Sequence, residues 1–270
     1  MRKENAANAL ERRGRELGVL LESVGSSLAL LGWTALRLPH VARRRRAILD
    51  EMARASLRVL HVLALVGGFS GMILSLQTGL ELARFSQQDS IGTIVAIATV
   101  REMGPFITAT VIAAAVGSAI AAELGTMSVS EEILALEVMS IDTVSYLVLP
   151  RIVALALLTP ILTILVNGIG ILGGGLVAMA QLDVPFVLYM QTAQDALRES
   201  ATFLPVPKDL YVGLFKALVF GITIGTVACA SGIQASGGAG SVGDAVRRSV
   251  RNSVILIIVF GYFITWLFYR

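Results

Sequence analysis

The strongest constraint on this fold is the apolar segment 91–122, in which Arg101 and Glu102 are the only charged residues. Across the whole chain, 55% of residues are hydrophobic and 15% are charged. A soluble domain has about 45–50% apolar and about 25% charged residues, so this chain is too apolar for a soluble protein. The composition therefore predicts an all-α integral membrane protein.

Five segments have the length and composition of membrane-spanning helices, each close to the 20 mostly apolar residues that a span needs. They are 59–80, 105–122, 147–166, 210–230 and 253–268. A helix over all of 91–122 would measure about 48 Å, against a hydrocarbon core of about 30 Å. Because proline disfavours helical geometry just before it, we expect Pro105 to begin the second span. Residues 91–100 would then lie at the outer surface or re-enter the membrane. Gly67 and Gly71 form a small-xxx-small face suited to close helix packing.

Basic residues are concentrated near the N-terminus. Twelve of the 22 Lys and Arg residues lie in the first 58 positions, including the run at 43–46. Nucleic-acid binding is one interpretation of such a run, but basic residues beside a first span more often set topology and contact anionic headgroups. We therefore expect no nucleic-acid partner and a cytoplasmic N-terminus. The chain is divided into a basic region, 1–55, with an interfacial amphipathic helix over 17–38, and a transmembrane domain, 56–270.

Metal, cofactor and catalytic sites are not expected. The chain has one cysteine, Cys229, and two histidines, His40 and His61, far apart in sequence. A single cysteine excludes an intrachain disulfide and a cysteine-cluster metal site. No glycine is followed by lysine, so the phosphate-binding G-x-x-x-x-G-K-[ST] motif is absent. Energy for active transport would have to come from another chain.

The segment 123–142, ELGTMSVSEEILALEVMSID, is acidic between two apolar spans. It carries five carboxylates and no Lys or Arg: Glu123, Glu131, Glu132, Glu137 and Asp142. Ser128 and Glu131 fit a capping box at a helix start, and Val129, Ile133 and Leu136 recur at the spacing of one helical face. Two interpretations remain open on these features: a solvated connector, or a docking helix whose apolar stripe and carboxylates meet a partner.

The run AAELGTMSVSEEILALEVMSIDTVSYLVLPR, with REMGP and GMILSLQ upstream, resembles the MlaE/YrbE permease family. These are membrane subunits of MCE-type ABC transporters, which move phospholipids across the bacterial envelope. The resemblance implies a homodimer in the bacterial inner membrane, with an N-terminal elbow helix, about five transmembrane helices and a cytoplasmic coupling helix at about 128–140. Its implied partners are an ABC ATPase, a periplasmic MCE-domain lipid-binding protein, a small STAS-domain subunit and phospholipid.

The resemblance also implies roles for particular residues. Those expected to couple to the ATPase are Glu123, Glu131, Glu132, Leu136, Glu137, Met139 and Asp142. Those expected to bind lipid are Leu74 and Leu80, along the acyl chains, and Arg101 and Glu102, at the headgroup end. The residues alone also allow a second interpretation of Arg101 and Glu102, as an interfacial pair whose arginine reaches towards headgroups.

Two positions depart from the family pattern. Ala115 stands where members often have Arg, and Gly261 stands where they often have Asp, so a polar network using those groups would be absent or rebuilt. The function implied is maintenance of outer-membrane lipid asymmetry, with lipid species and direction left open. The alternatives are a secondary transporter or channel that needs no ATPase, and a membrane scaffold without transport activity.

Overall fold

The computed structural model describes residues 44–199 and 208–270, together with 25, 29–34, 36, 37 and 41. The helices of the two long ranges are α1 (Arg45–Arg84), α2 (Gln88–Val129), α3 (Glu132–Val138), α4 (Val144–Gln181), α5 (Phe186–Glu199), α6 (Lys208–Ile233) and α7 (Ala239–Tyr269). Five of them, α1, α2, α4, α6 and α7, are long and apolar enough to cross a membrane. This confirms the prediction of an all-α membrane protein with about five spans.

The helix bundle has two ends, which we name after the short helices found there. The α3 end contains α3 and residues 234–238, and the α5 end contains α5 and residues 85–87. The interfacial helix predicted over 17–38 lies mostly outside the described residues. α1 continues without interruption across position 55, where the sequence analysis divides the chain.

Pro105 does not break the second span, contrary to the sequence prediction. α2 is continuous, with a π-helical turn at Thr99–Met103 directly before the proline. Because Pro105 lacks an N–H, the carbonyl of Arg101, four residues earlier, loses its ordinary α-helical donor. The Nζ of Lys216 on α6 donates to this carbonyl oxygen at 3.1 Å. A donor from another helix therefore satisfies the backbone at the proline, and residues 91–104 stay in the same helix as the span.

Glycines allow α1 and α4 to pack along most of their length. A Cβ at Gly71 would overlap the carbonyl oxygen of Gly170, and one at Gly67 would lie 3.0 Å from a methyl group of Val166. The two backbones are therefore nearly in contact, as expected for a small-residue interface between membrane helices.

The polar segment 181–208 contains a helix, α5, that the sequence analysis did not predict. Tyr189, Ala193 and Ala196 recur at i, i+4 and i+7 and are buried, which gives α5 one apolar face. That face packs mainly against Ile91–Ala98, the start of α2. The early part of α2 is thus covered by α5 and continues directly into the span.

The connection between α6 and α7 is shorter than the interval 231–252 that separates the fourth and fifth predicted spans. Only residues 234–238 separate the two helices. Ala245, Ser249 and Asn252, also at i, i+4 and i+7, are buried on one face of α7. Because that face packs against α2 and α6, the polar sequence before the apolar run is helical as well.

Candidate functional site

α3 is a short helix with a sharp boundary at each side. The residue before its first turn, Glu131, and the residue Ser140 beyond its last turn both have left-handed backbones, with φ of 60° and 58°. The predicted capping box is wrong, because Ser128 belongs to α2. Its hydroxyl lies 2.9 Å from the carbonyl oxygens of both Ile233 and Ala235. Ser128 thus provides a hydrogen-bond donor for carbonyls left free at the end of α6 and links α2 to α6.

α3 exposes carboxylates and large apolar side chains together. The exposed residues are Glu131, Glu132, Leu134, Glu137, Val138 and Met139. Val138 and Met139 are 79% and 69% exposed, and Leu136 is half-buried. The predicted apolar stripe is divided, since Val129 lies in α2 and not on α3. Five of the seven residues expected to couple to an ATPase are therefore exposed, four on or directly beside this helix and the fifth, Asp142, in the connection that follows it.

Glu123, at the α3 end, is partly exposed and pairs with basic residues of the same chain. Its carboxylate lies 3.2 Å from Nη2 of Arg151 and 3.6 Å from Nη2 of Arg58. Arg151 also lies 3.9 Å from the buried carboxylate of Glu51. These ion pairs join α1, α2 and α4 where the three helices meet, so Glu123 acts first as a link between helices.

Asp142, in the connection between α3 and α4, forms an ion pair with Arg37. Burial raises the pKa of the Asp142 carboxyl, but hydrogen bonds from Arg37 and Ser145 outweigh it and hold the pKa below its ordinary value of 3.8. Asp142 is therefore ionised at neutral pH and connects the segment before α1 to the base of α4.

A second cluster of charges lies near the α5 end, where α2, α6 and α7 meet. Nε of Arg101 donates to Oδ1 of Asp209 at 2.9 Å, and Nη2 of the same guanidinium lies 2.8 Å from that oxygen. The hydroxyl of Tyr269 donates to the same oxygen, and the Arg101 guanidinium lies 4.0 Å from the centre of the Tyr269 ring. Asp209 is buried, so all these partners compensate the cost of removing its charge from water.

Lys216 forms the other half of this cluster. It is 1% exposed, and its Nζ donates to Glu102 at 2.6 Å, to the hydroxyl of Thr265 at 2.7 Å and to the Arg101 carbonyl at 3.1 Å. An ammonium group has three protons, and each one has an acceptor here. Arg101, Glu102, Asp209 and Lys216 carry two charges of each sign. In this neutral cluster the Glu102 side chain, 46% exposed, is the most accessible group.

A narrow cleft with an internal volume of about 10 Å³ lies on another face of the same turn of α2, between α1, α2 and α4. Its walls include Leu74, Thr99, Met103 and Ile107. Leu74, which the sequence predicts to contact lipid, thus lies beside the turn that carries Arg101 and Glu102. Leu80 lies outside the cleft and is exposed on α1.

Comparison with known proteins identifies the family. Residues 48–267 match the model of the family described as Permease MlaE. The chain belongs to the MlaE permease family. The match covers all five membrane-length helices almost completely.

Individual relatives agree with this assignment. The chain is 35% identical over 268 residues to a probable ABC transporter permease protein of Rickettsia bellii, covering 98% of each chain. It is 30% identical over 254 residues, 94% of each chain, to the probable ABC transporter permease slr1045 of Synechocystis. It is also 32% identical over 241 residues to the Arabidopsis thaliana protein trigalactosyldiacylglycerol 1, chloroplastic, covering 89% of this chain and 67% of that one. The chain is accordingly a multi-pass membrane permease subunit.

The two departures from the MlaE pattern have different surroundings. At Gly261 no side chain is present, and Thr265, one turn later, supplies the hydroxyl that contacts Glu102 and Lys216. The network near the α5 end is thus built without a side chain at residue 261, whose carbonyl oxygen lies 2.8 Å from the Thr265 hydroxyl. Ala115 lies in a second π-helical turn of α2 and packs against the apolar core.

Three members of this charged cluster were not predicted from the sequence: Asp209, Lys216 and Tyr269. Lys216 could have been found, because it is a charged residue inside the predicted span 210–230, and such residues are rare and tend to be functional. Asp209 lies seven residues earlier, on the same face of a helix. Nothing in the sequence pattern around Tyr269 indicates its bond to Asp209.

Proposed function

We propose that this chain is the membrane subunit of an ABC transporter that moves phospholipids between the inner and outer membranes of a bacterium, and so maintains outer-membrane lipid asymmetry. The ATP is hydrolysed by a separate chain. The observation that carries the proposal is α3, an exposed acidic and apolar helix at one end of an MlaE-family permease. The name of the Arabidopsis relative, which contains that of a glycerolipid, supports a lipid as cargo.

α3 is the helix that receives the ATPase. A connector that only crosses water has no need of apolar side chains as exposed as Val138 and Met139. Apolar anchors on one short helix suit insertion into a groove, and the exposed carboxylates Glu131, Glu132 and Glu137 suit a basic rim around it. Because the ATPase acts in the cytoplasm, this assignment puts the α3 end, and with it the N-terminus, on the cytoplasmic side of the inner membrane.

The cluster near the α5 end borders the headgroup region of the lipid path. Asp209 and Lys216 are buried and hold the cluster together, whereas Arg101 and Glu102 are partly exposed and can meet a headgroup. Leu74, in the neighbouring cleft, and Leu80 contact acyl chains.

The working unit is a homodimer. The cleft has an internal volume of only about 10 Å³, room for about one water molecule, so one copy cannot surround a phospholipid. A second copy facing the first would enlarge the cavity. The remaining partners are a periplasmic MCE-domain protein, which would receive or deliver lipid at the α5 end, and a small STAS-domain subunit.

Co-purification tests the assignment of α3. A tagged chain expressed with its native partners should bring down an ABC ATPase. Charge reversal of Glu131, Glu132 and Glu137 together should abolish its recovery, because like charges would face the basic rim. The matched control reverses three exposed carboxylates in the other half of the molecule, and it should leave the ATPase bound: Glu81, Asp89 and Asp195.

The proposal is wrong if the native chain never retains an ATPase, a result that would favour a secondary transporter. It is also wrong in its choice of helix if both triple variants retain the ATPase equally.

A further inference from the structure

Two cationic side chains lie around one aromatic ring at the α5 end. The guanidinium carbon of Arg101, on α2, is 4.0 Å from the centre of the Tyr269 ring, and Nζ of Lys208, the first residue of α6, is 5.0 Å from the same centre. The ring stabilises both cations through its π-electrons, but the two positive charges repel each other. Because a bound anion would reduce this repulsion, the pair is a candidate anion site.

The hydrogen-bond donors of this pair are only partly used. Asp209 is contacted by Nε and Nη2 of Arg101. A guanidinium has five N–H groups, so further donors remain on a side chain that is 33% exposed. Lys208 is exposed and has no ion-pair partner within the part of the chain that the structure describes. Arg84 and Arg247, by contrast, each pair with a carboxylate three residues earlier. Both cations of the pair therefore have donors available for a ligand.

The charges of the surrounding cluster favour a ligand with a single negative charge. Three positive charges, from Arg101, Lys208 and Lys216, stand against the two negative charges of Glu102 and Asp209. A phosphodiester has one negative charge, so its binding would neutralise the group, whereas a phosphate dianion would leave an excess of negative charge. A phosphate also has several oxygens, which can meet two cations at once, and the planar arginine fork matches its geometry.

The position of the site suits a lipid. Tyr269 lies at the end of α7 and Lys208 at the start of α6, and tyrosine at the end of a span is typical of the headgroup level of the bilayer. Met103 and Phe106, within two turns of Arg101 on α2, are exposed apolar side chains. A phosphate bound by the two cations would thus have apolar surface close by for its acyl chains.

We propose that Arg101 and Lys208 together bind the phosphate of a phosphodiester lipid beside the Tyr269 ring, and so distinguish phospholipids from uncharged glycerolipids. The inference rests on the proposed function, because it takes a phospholipid as the cargo. It adds Lys208 to the headgroup site and names the phosphate as the group that is recognised.

Titration with two synthetic lipids tests this. The purified complex is titrated separately with dioleoyl phosphatidylglycerol and with dioleoylglycerol, which lacks the phosphate, and bound lipid is counted by native mass spectrometry. We expect the native chain to bind the phospholipid about a hundredfold more tightly, the contribution of roughly two hydrogen bonds between charged groups. Lys208→Met should weaken binding of the phospholipid about tenfold, the contribution of one such bond, and leave binding of dioleoylglycerol unchanged. Lys208→Arg keeps the positive charge and should retain most of the affinity.

Arg198→Gln is the matched control, because it removes an exposed positive charge from α5, at the same end of the molecule; both affinities should stay native. A second arm separates a lipid phosphate from free phosphate. Excess inorganic phosphate should not displace the phospholipid, because it lacks acyl chains and carries too much negative charge for the cluster. Displacement would overturn the assignment to a lipid.

Native affinity of the Lys208→Met variant for phosphatidylglycerol would overturn the inference and leave the proposed function intact. Equal binding of the two lipids by the native chain, a comparison that needs no variant, would do the same. An equal loss in Arg198→Gln would assign the effect to general surface charge and also overturn the inference. Binding of neither lipid by the native complex would instead refute the proposed function.

Discussion

Replacing Lys216 with methionine removes the donor that satisfies the backbone before Pro105. The Arg101 carbonyl then has neither an N–H from residue 105 nor the Nζ at 3.1 Å. An unmet buried carbonyl costs about 1–3 kcal/mol. Glu102 also loses its partner, but its carboxylate is half-exposed, so water can replace much of that interaction. Removing the cost of burying the ammonium partly offsets both losses. The net expectation is a destabilisation of about 2 kcal/mol.

A second substitution isolates the role of the carbonyl. Pro105→Ala restores a backbone N–H at the position from which a helical bond to Arg101 is made. In the native background it should change stability little beyond the effect of proline on the unfolded chain, about 0.4–1 kcal/mol. In the Lys216→Met background it should recover about 1 kcal/mol more, because the new N–H replaces the lost donor. The unfolded-state effect is common to both backgrounds and cancels in the double-mutant cycle.

The assay is equilibrium unfolding in mixed micelles titrated with dodecyl sulfate, followed by circular dichroism, for the native chain, the two single variants and the double variant. The reasoning is supported if Pro105→Ala stabilises the Lys216→Met variant by about 1 kcal/mol more than it stabilises the native chain. Strict additivity would refute it, since the carbonyl would then be irrelevant to the loss. A Lys216→Met variant that is as stable as the native chain would refute it as well.

Two further perturbations test the packing and the charge at the α3 end. Gly71→Val should greatly reduce the yield of folded protein in fluorescence size-exclusion chromatography, because its side chain would overlap the Gly170 carbonyl; native yield would contradict the close packing of α1 and α4. Asp142→Asn should lower the unfolding midpoint at neutral pH, and the difference from the native chain should vanish as pH falls below 3.8. The sign follows because the folded pKa of Asp142 is depressed, so its contribution is present above the unfolded pKa and is lost on protonation. A difference that persisted in acid would exclude the ion pair with Arg37 as its source.

Sequence reasoning located the membrane spans because their signal is local. The five predicted segments each fall inside one long helix, since length and apolar content alone distinguish such segments. The acidic segment 123–142 also carried enough identity to indicate the family. In both cases the information lies within a few turns of helix.

The errors have tertiary causes. Whether α2 continues through Pro105 depends on a lysine from α6, which no local pattern around the proline contains. The spacing of Ser128 fits a capping box, but its hydroxyl instead forms hydrogen bonds with carbonyls at the end of α6. The sequence around Glu123 contains no partner for its carboxylate, because Arg151 and Arg58 lie on two other helices. Each residue found its partner on an element far away in sequence.

Transfer of phospholipid by the reconstituted complex tests the central claim most directly. The permease, its ATPase and its periplasmic partner are placed in liposomes, and movement of a fluorescent phospholipid to acceptor vesicles is followed with ATP and with a non-hydrolysable analogue. We predict transfer with ATP and none with the non-hydrolysable analogue. Reversing the charges of Glu131, Glu132 and Glu137 should abolish transfer while the chain remains folded. Transfer driven by an ion gradient without the ATPase, or unchanged transfer by the triple variant, would contradict the account.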